Sequence, residues 1–182
     1  NDASSVSVTV STSSQALDIS LGLAVSRNHI DNDLSAAVSG LSSFIAENTG
    51  ISVKVSEEAE ISATTRASAV GVAANASRGG KSFSGGGSLS FNGVDIRSKA
   101  SITDSHTTTR NNGDLLIEAY ELSRIDSLVE AASVSVAVSS GATMAFSIGI
   151  AVAENAIGSG NNGHGQTRAF VSGGTLDLNG NL

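Results

Sequence analysis

Ser20-Leu21-Gly22-Leu23-Ala24-Val25-Ser26-Arg27-Asn28-His29-Ile30 returns further along the chain as Ser147-Ile148-Gly149-Ile150-Ala151-Val152-Ala153-Glu154-Asn155-Ala156-Ile157. The two stretches stand two periods of about 64 residues apart, and a fainter copy lies between them. Ile51, Val53, Val55, Ile61, Ala67 and Val70 map at a constant offset onto Leu115, Ile117, Ala119, Ile125, Ala131 and Val134. Ala36-Ala37-Val38 maps in the same way onto Ala100-Ser101-Ile102. Self-similarity at a fixed period marks stacked architectures, in which each unit buries its apolar face against its neighbours. It points to a spacer, fibre or array and away from an enzyme built around one unique site.

The repeat divides the chain into units of about 1–66, 67–130 and 131–182, read as one continuous array. Gly50-Ile51-Ser52 and Gly113-Asp114-Leu115 open successive apolar stretches, and Gly180-Asn181-Leu182 looks like a third opening. The sequence therefore reads as a piece of something longer. Two matches fall off the spacing: Val70-Gly71-Val72-Ala73-Ala74-Asn75, and Gly87-Ser88-Leu89 with Gly174-Thr175-Leu176. Extra residues in Gly158-Ser159-Gly160-Asn161-Asn162-Gly163-His164-Gly165 predict an exposed insertion in the third unit.

Within each unit the period is two. Ser5-Val6-Ser7-Val8-Thr9-Val10-Ser11 and Ser133-Val134-Ser135-Val136-Ala137-Val138-Ser139 place a β-branched residue at every second position. Such alternation is the sequence form of a strand with one buried face. Ile51-Ser52-Val53-Lys54-Val55, Ser88-Leu89-Ser90-Phe91 and Thr175-Leu176-Asp177-Leu178 read alike. A helical period through Leu122, Ile125 and Val129 loses to the strand character of its copy, Ile61-Ser62-Ala63-Thr64-Thr65. The whole chain reads as β, with Leu21 and Ile148 inward and Ser7 outward. The opposite face, Ser20/Gly22/Ala24 and Ser147/Gly149/Ala151, is either a flat solvent surface or a place of close backbone approach by another sheet or molecule.

Val6, Asn28, Gly50, Val70, Asn92, Gly113, Val134 and Asn155 recur about every 20–22 residues, the length of a solenoid coil of three short strands. Eight or nine such coils, rising about 4.8 Å each, predict a rod about 40 Å long. Asn28, Asn92 and Asn155 sit at equivalent positions; bends with left-handed backbone suit asparagine, and stacked amides can bond to one another. A parallel β-solenoid leads. An antiparallel β-sandwich is the alternative, because Asn92-Gly93 and Asn112-Gly113 are hairpin turn signals. Aromatic residues make up only 3% and proline is absent, which suits thin layers better than a sandwich.

Composition excludes several classes of function. A net charge of −7 disfavours nucleic acid and anionic lipid, and the ten Lys and Arg are scattered. No apolar run approaches a membrane span, so no membrane insertion is expected. The 33 serines and 20 glycines are in strand register, and no Cys offers a disulfide or thiolate site.

Chemistry-bearing motifs are sparse, and no catalytic residue is expected. His29, His106 and His164 lie far apart. Asp31 and Asp33, in the acidic turn Asp31-Asn32-Asp33, are the weak candidates for Ca2+, but the terminal Glu of a full loop is missing. Otherwise no cofactor is expected. Glu57-Glu58 and Glu60 read as a solvated acidic edge. Gly79-Gly80-Lys81-Ser82 lacks the leading Gly of a phosphate loop, since Asn75 occupies its place.

The motif at Ser20–Ile30 and Ser147–Ile157 resembles repeats of giant bacterial adhesin-like and haemagglutinin-like surface proteins. The resemblance implies an extracellular β-solenoid array serving as stalk, fibre or adhesive surface. It carries over no catalytic residues. Strand edges with nothing to blunt them, and the small-residue face, predict further copies or neighbouring repeats as partners, and cell-surface or matrix glycans are the other partners expected. The competing expectation is a β-helix enzyme or binding module for extracellular polysaccharide. A third, ice or mineral binding, is suggested by Thr107-Thr108-Thr109, but it needs regular outward Thr ladders and Thr is not periodic here.

Overall fold

The computed structural model describes residues 2–11, 17–75, 79–158 and 165–182, and among them every regular element is a strand. In chain order these are β1 (Asp2–Ser11), β2 (Leu17–Ser39), β3 (Phe44–Ala46), β4 (Ile51–Asn75), β5 (Lys81–Thr109), β6 (Leu115–Ser139), β7 (Met144–Ile157) and β8 (Gln166–Leu178). One sheet is ordered β1-β4-β6. In the other, β5 pairs with β2 and β3 and also with β7 and β8.

Pairing is parallel. Val8 aligns with Val70, Phe44 with Thr107 and Ala100 with Ala169. Side chains give the remaining registers: Ser26 bonds Ser90 and Asn28 bonds Asn92, each 64 residues on. Lys54 pairs with Glu118 and Arg66 with Glu130 at the same offset. The sequence repeat is therefore one full turn of a parallel β-solenoid, with equivalent residues stacked on each other. The antiparallel sandwich is excluded.

Three expectations need correction. A turn contains two long strands rather than three short ones, so the 20–22-residue landmarks do not mark coils. Asn92-Gly93 lies inside β5, and Asn28 and Asn155 also lie within strands. Among non-glycine residues only Asp104, Asn111 and Asn112 have a described positive φ, so the amide ladder does not sit at left-handed bends. Asn111-Asn112 does turn the chain, between β5 and β6, but these strands belong to different sheets. Lastly, Asn92 and Asn155 stand 63 residues apart, whereas Arg97 and Gln166 stand 69 apart. The six additional residues enter between Asn155 and Gln166, around the predicted insertion. Gly174 aligns with Ser105, so its match to Gly87 in the sequence is not a stacked pair.

The chain divides into two compact units, each assembled from three segments one turn apart. Unit 1 comprises Asn1–Asn28, Ile61–Asn92 and Ile125–Asn155; unit 2 comprises His29–Glu60, Gly93–Arg124 and Ala156–Leu182. Unit 2 has the conventional interior. Ile51, Val53, Val55, Ala100, Ile102 and Leu115 are buried together, with Leu34, Val38 and Phe44 packed against them. These branched side chains fill the gap between sheets and supply the hydrophobic stabilisation, roughly 1.5–3 kcal/mol for each large one.

Unit 1 is built the other way round. Ser20 is 1% and Ala24 4% exposed, while Leu21 is 72% exposed. Val6, Val8 and Val10 of β1 also face outward, as do Ile148 and Ile150 of β7. The assignment of Leu21 and Ile148 to the core is thus overturned, and Ser7 faces inward to meet Ser20, Oγ to Oγ at 3.1 Å. Close sheet approach explains the choice. A Cβ placed on Gly22 would lie 2.5 Å from the Ser68 carbonyl oxygen, and one on Gly86 2.5 Å from that of Ala132. Gly149, the next in that row, faces the Ala131 carbonyl in the same manner. For Ser20/Gly22/Ala24 close approach by another sheet is correct, and that sheet belongs to the chain itself; on β7, Gly149 approaches the Ala131 carbonyl, but Ser147, Gly149 and Ala151 remain exposed.

Candidate functional site

The inverted interior of unit 1 works because its hydroxyls bond to each other. Ser26 meets Thr65 at 2.6 Å and donates to Ser90 at 3.0 Å. Ser82 donates to Ser135, which donates to Ser84, and Ser88 donates to the Glu130 carbonyl. Small side chains let two sheets come together while their polar groups stay paired, which removes most of the cost of burying them. At the edge of this interior Asn28 donates to Asn92 at 2.7 Å, and Asn92 donates to Asn155 at 2.8 Å. Ser5 Oγ and both carboxylate oxygens of the buried Asp18 are exceptions, with no hydrogen-bond partner among the described residues.

Alternation then forces the aliphatic residues onto the outer surface. On β2, β5 and β7 the outward rows are Ile19/Phe83/Phe146, Leu21/Gly85/Ile148, Leu23/Gly87/Ile150 and Val25/Leu89/Val152. Their stacking follows from the Asn28, Asn92 and Asn155 register and from the Phe83–Phe146 ring contact, with centroids 6.4 Å apart. Leu21 Cδ2 and Leu23 Cδ1 lean over the glycines, 3.0 and 3.2 Å from where their Cβ atoms would stand. The hollow left by the middle strand is filled from within the sheet, and the face is even. The outer face of β1, β4 and β6 is lined by valines, including Val8/Val70/Val134 and Val10/Val72/Val136.

The charges bordering the two faces differ. Beside the valine face, Arg66 and Glu130 bond each other at 2.5 Å. Beside the leucine face, Arg27 and Glu154 occupy one row on either side of Phe91, and neither has an ion-pair partner among the described residues.

The residues singled out from the sequence do not converge. Asp31 and Asp33 lie within β2 and not in a turn, and Asp33 is paired with Arg97 at 2.8 Å. No group of three His, Asp or Glu at metal-holding distance occurs among the described residues. His29 lies over Gly93, His106 bonds Thr175 Oγ1, and His164 falls outside the described residues. Glu57 departs from the acidic-edge reading: it is half-buried and accepts from Asn32 Nδ2 at 2.6 Å, while Glu58 and Glu60 are exposed. Thr107, Thr108 and Thr109 are buried, so they form no outward ladder for ice or mineral.

In unit 2 the sequence reading passed over one cluster, because its members are distant in the chain. Lys99 and Arg168 are cross-strand partners, and Lys99 Nζ stands 5.2 Å from the centre of the Phe170 ring. With Arg97 and Gln166 they line a shallow groove of about 140 Å³.

No family model, curated protein or solved structure matches this chain.

Proposed function

We propose that this chain is a structural and adhesive segment of a large repetitive bacterial protein, extracellular or on the cell surface, acting as stalk, fibre or filament-forming unit. One observation carries the reading: each repeat's side chains bond to the same positions of the next. Asn28, Asn92 and Asn155 form one such ladder, and Lys54–Glu118, Arg66–Glu130 and Asp33–Arg97 form others. An arrangement in which equivalent residues of successive turns stack on each other extends by adding turns, and its energetics are close to a sum over neighbours. Antibody raised against the chain should label intact native cells or their surroundings. Labelling confined to lysed cells would end the surface reading.

A second reading, a glycan-binding patch in unit 2, is favoured by the meeting of Lys99, Arg168 and Phe170. Two like charges directly opposite on a sheet are mutually unfavourable, and an acidic sugar over the ring would relieve them. Binding to an anionic polysaccharide, abolished by Lys99→Ala with Arg168→Ala, is the expected result; equal binding by that variant would discard it.

A further inference from the structure

The geometry points to a second copy of this chain as the occupant of the outer face of β2, β5 and β7 in unit 1. The inference rests on the reading above only in taking self-association as part of the function, and it is independent of where the parent protein resides.

Size is the first argument. Leu17, Ile19, Leu21, Leu23, Val25, Met144, Phe146, Ile148, Ile150 and Val152 are each between 43% and 72% exposed. Together they present on the order of 1,000 Å², against the roughly 300–600 Å² of the largest patch on a typical soluble monomer. Each partner in a standard interface contributes about 800 Å². The face is thus larger than a monomer ordinarily leaves in water and large enough for a specific dimer.

Charge placement selects the occupant and its orientation. A twofold axis lying along β5 lays β2 of one copy over β7 of the other. Leu21 and Leu23 then meet Ile148 and Ile150 of the second copy, and the self-contact is isologous. In the same arrangement Arg27 faces Glu154 of the second copy, and Glu154 faces its Arg27. Neither charge has an ion-pair partner among the described residues, and each gains one across the axis. A lipid surface would leave them without partners. The valine face offers no such complement, because Arg66 and Glu130 already neutralise each other. Lys81 meets its own copy near the axis, but it begins β5 and is exposed, so its long chain can carry the charge past the margin.

The test is the mass of the 182-residue chain in solution by sedimentation equilibrium, with R27E, E154R, the double variant R27E/E154R, and L21E/I148E. Circular dichroism verifies that each variant keeps its strands; the substituted side chains are exposed. The expected results are a species of twice 18.1 kDa, association at least tenfold weaker in either single charge variant, recovery in the double variant, and loss of the dimer in L21E/I148E. A monomer at every concentration would overturn the proposal. So would a dimer indifferent to the charge variants, or open-ended growth that L21E/I148E leaves unchanged, which would assign assembly to strand edges. Flotation of the monomer with neutral phosphatidylcholine vesicles, abolished by L21E/I148E, would replace the second copy with lipid. None of these outcomes depends on the cell-labelling result.

Discussion

Asn92 donates its side-chain amide to Asn155, 63 residues further on, while accepting the amide of Asn28, 64 residues earlier. One buried residue thus joins three successive turns through a single chain of hydrogen bonds. Replacing Asn92 by Ala leaves a donor on Asn28 and an acceptor on Asn155 unmatched, and also removes the bond from Asn92 Nδ2 to Ser90. A buried unsatisfied polar group costs about 1–3 kcal/mol. Asn92→Ala should therefore lower stability by about 2–4 kcal/mol in urea denaturation. Asn155→Ala, at an exposed end of the ladder, should cost under about 1.5 kcal/mol. Equal losses at the two positions would mean that the ladder is not a unit.

Adjacent glycines of β5 should respond in opposite ways. Gly86 faces the Ala132 carbonyl, where a Cβ would stand 2.5 Å away, so Gly86→Val must separate the two sheets. Core overpacking of this kind costs about 1–3 kcal/mol or more, and backbone on the far side cannot yield as a side chain does. Gly85 faces outward beside Leu21 Cδ2, the movable end of an exposed side chain. Gly85→Ala should be neutral or stabilising by up to about 1 kcal/mol, since Gly is entropically costly in a strand. Thermal unfolding of the pair reads both signs.

Charge burial should follow the observed faces. Leu21→Asp, on the outer surface of unit 1, should change the stability of the single chain, measured at a concentration too low for association, by less than about 1 kcal/mol. Ile102→Asp, in the fully buried cluster of unit 2, should cost more than about 4 kcal/mol by leaving an unpaired charge in an apolar interior. Circular dichroism of the two variants at one temperature separates a folded protein from an unfolded one. Comparable folding of both would show that the interior of unit 2 is wrongly placed.

The ion pairs between turns should contribute little. Lys54–Glu118 and Arg66–Glu130 have side chains about half exposed, and pairs of this kind measure about 0.2–1 kcal/mol. A double-mutant cycle on Lys54 and Glu118 should return a coupling in that range, fading at high salt. A coupling of several kcal/mol would assign the register to charge and not to packing and amide ladders.

The strand character, the 64-residue turn and the stacking of equivalent residues were all legible in the sequence. Period-2 alternation of β-branched residues leaves few other backbones for Ser133–Ser139 or Ile51–Val55. A motif that returns at fixed spacing can satisfy itself by lying on its own copy, as Asn28 does on Asn92. What alternation does not determine is which face is inside. In Ile51–Val55 the aliphatic face is buried because Leu34 and Val38 oppose it with branched side chains. In Ser20–Ser26 the aliphatic face is exposed because the opposing segments of β1 and β4 also present Ser, Ala and Gly. Two small-residue faces close to backbone contact with their hydroxyls paired, and neither strand alone carries that information. The identity of the opposing face depends on where the chain turns between sheets, which is a property of the tertiary structure. The placement of Arg27 and Glu154 in one row, the inward Glu57 and the cluster of Lys99, Arg168 and Phe170 arise in the same way, from neighbours brought together across turns and sheets.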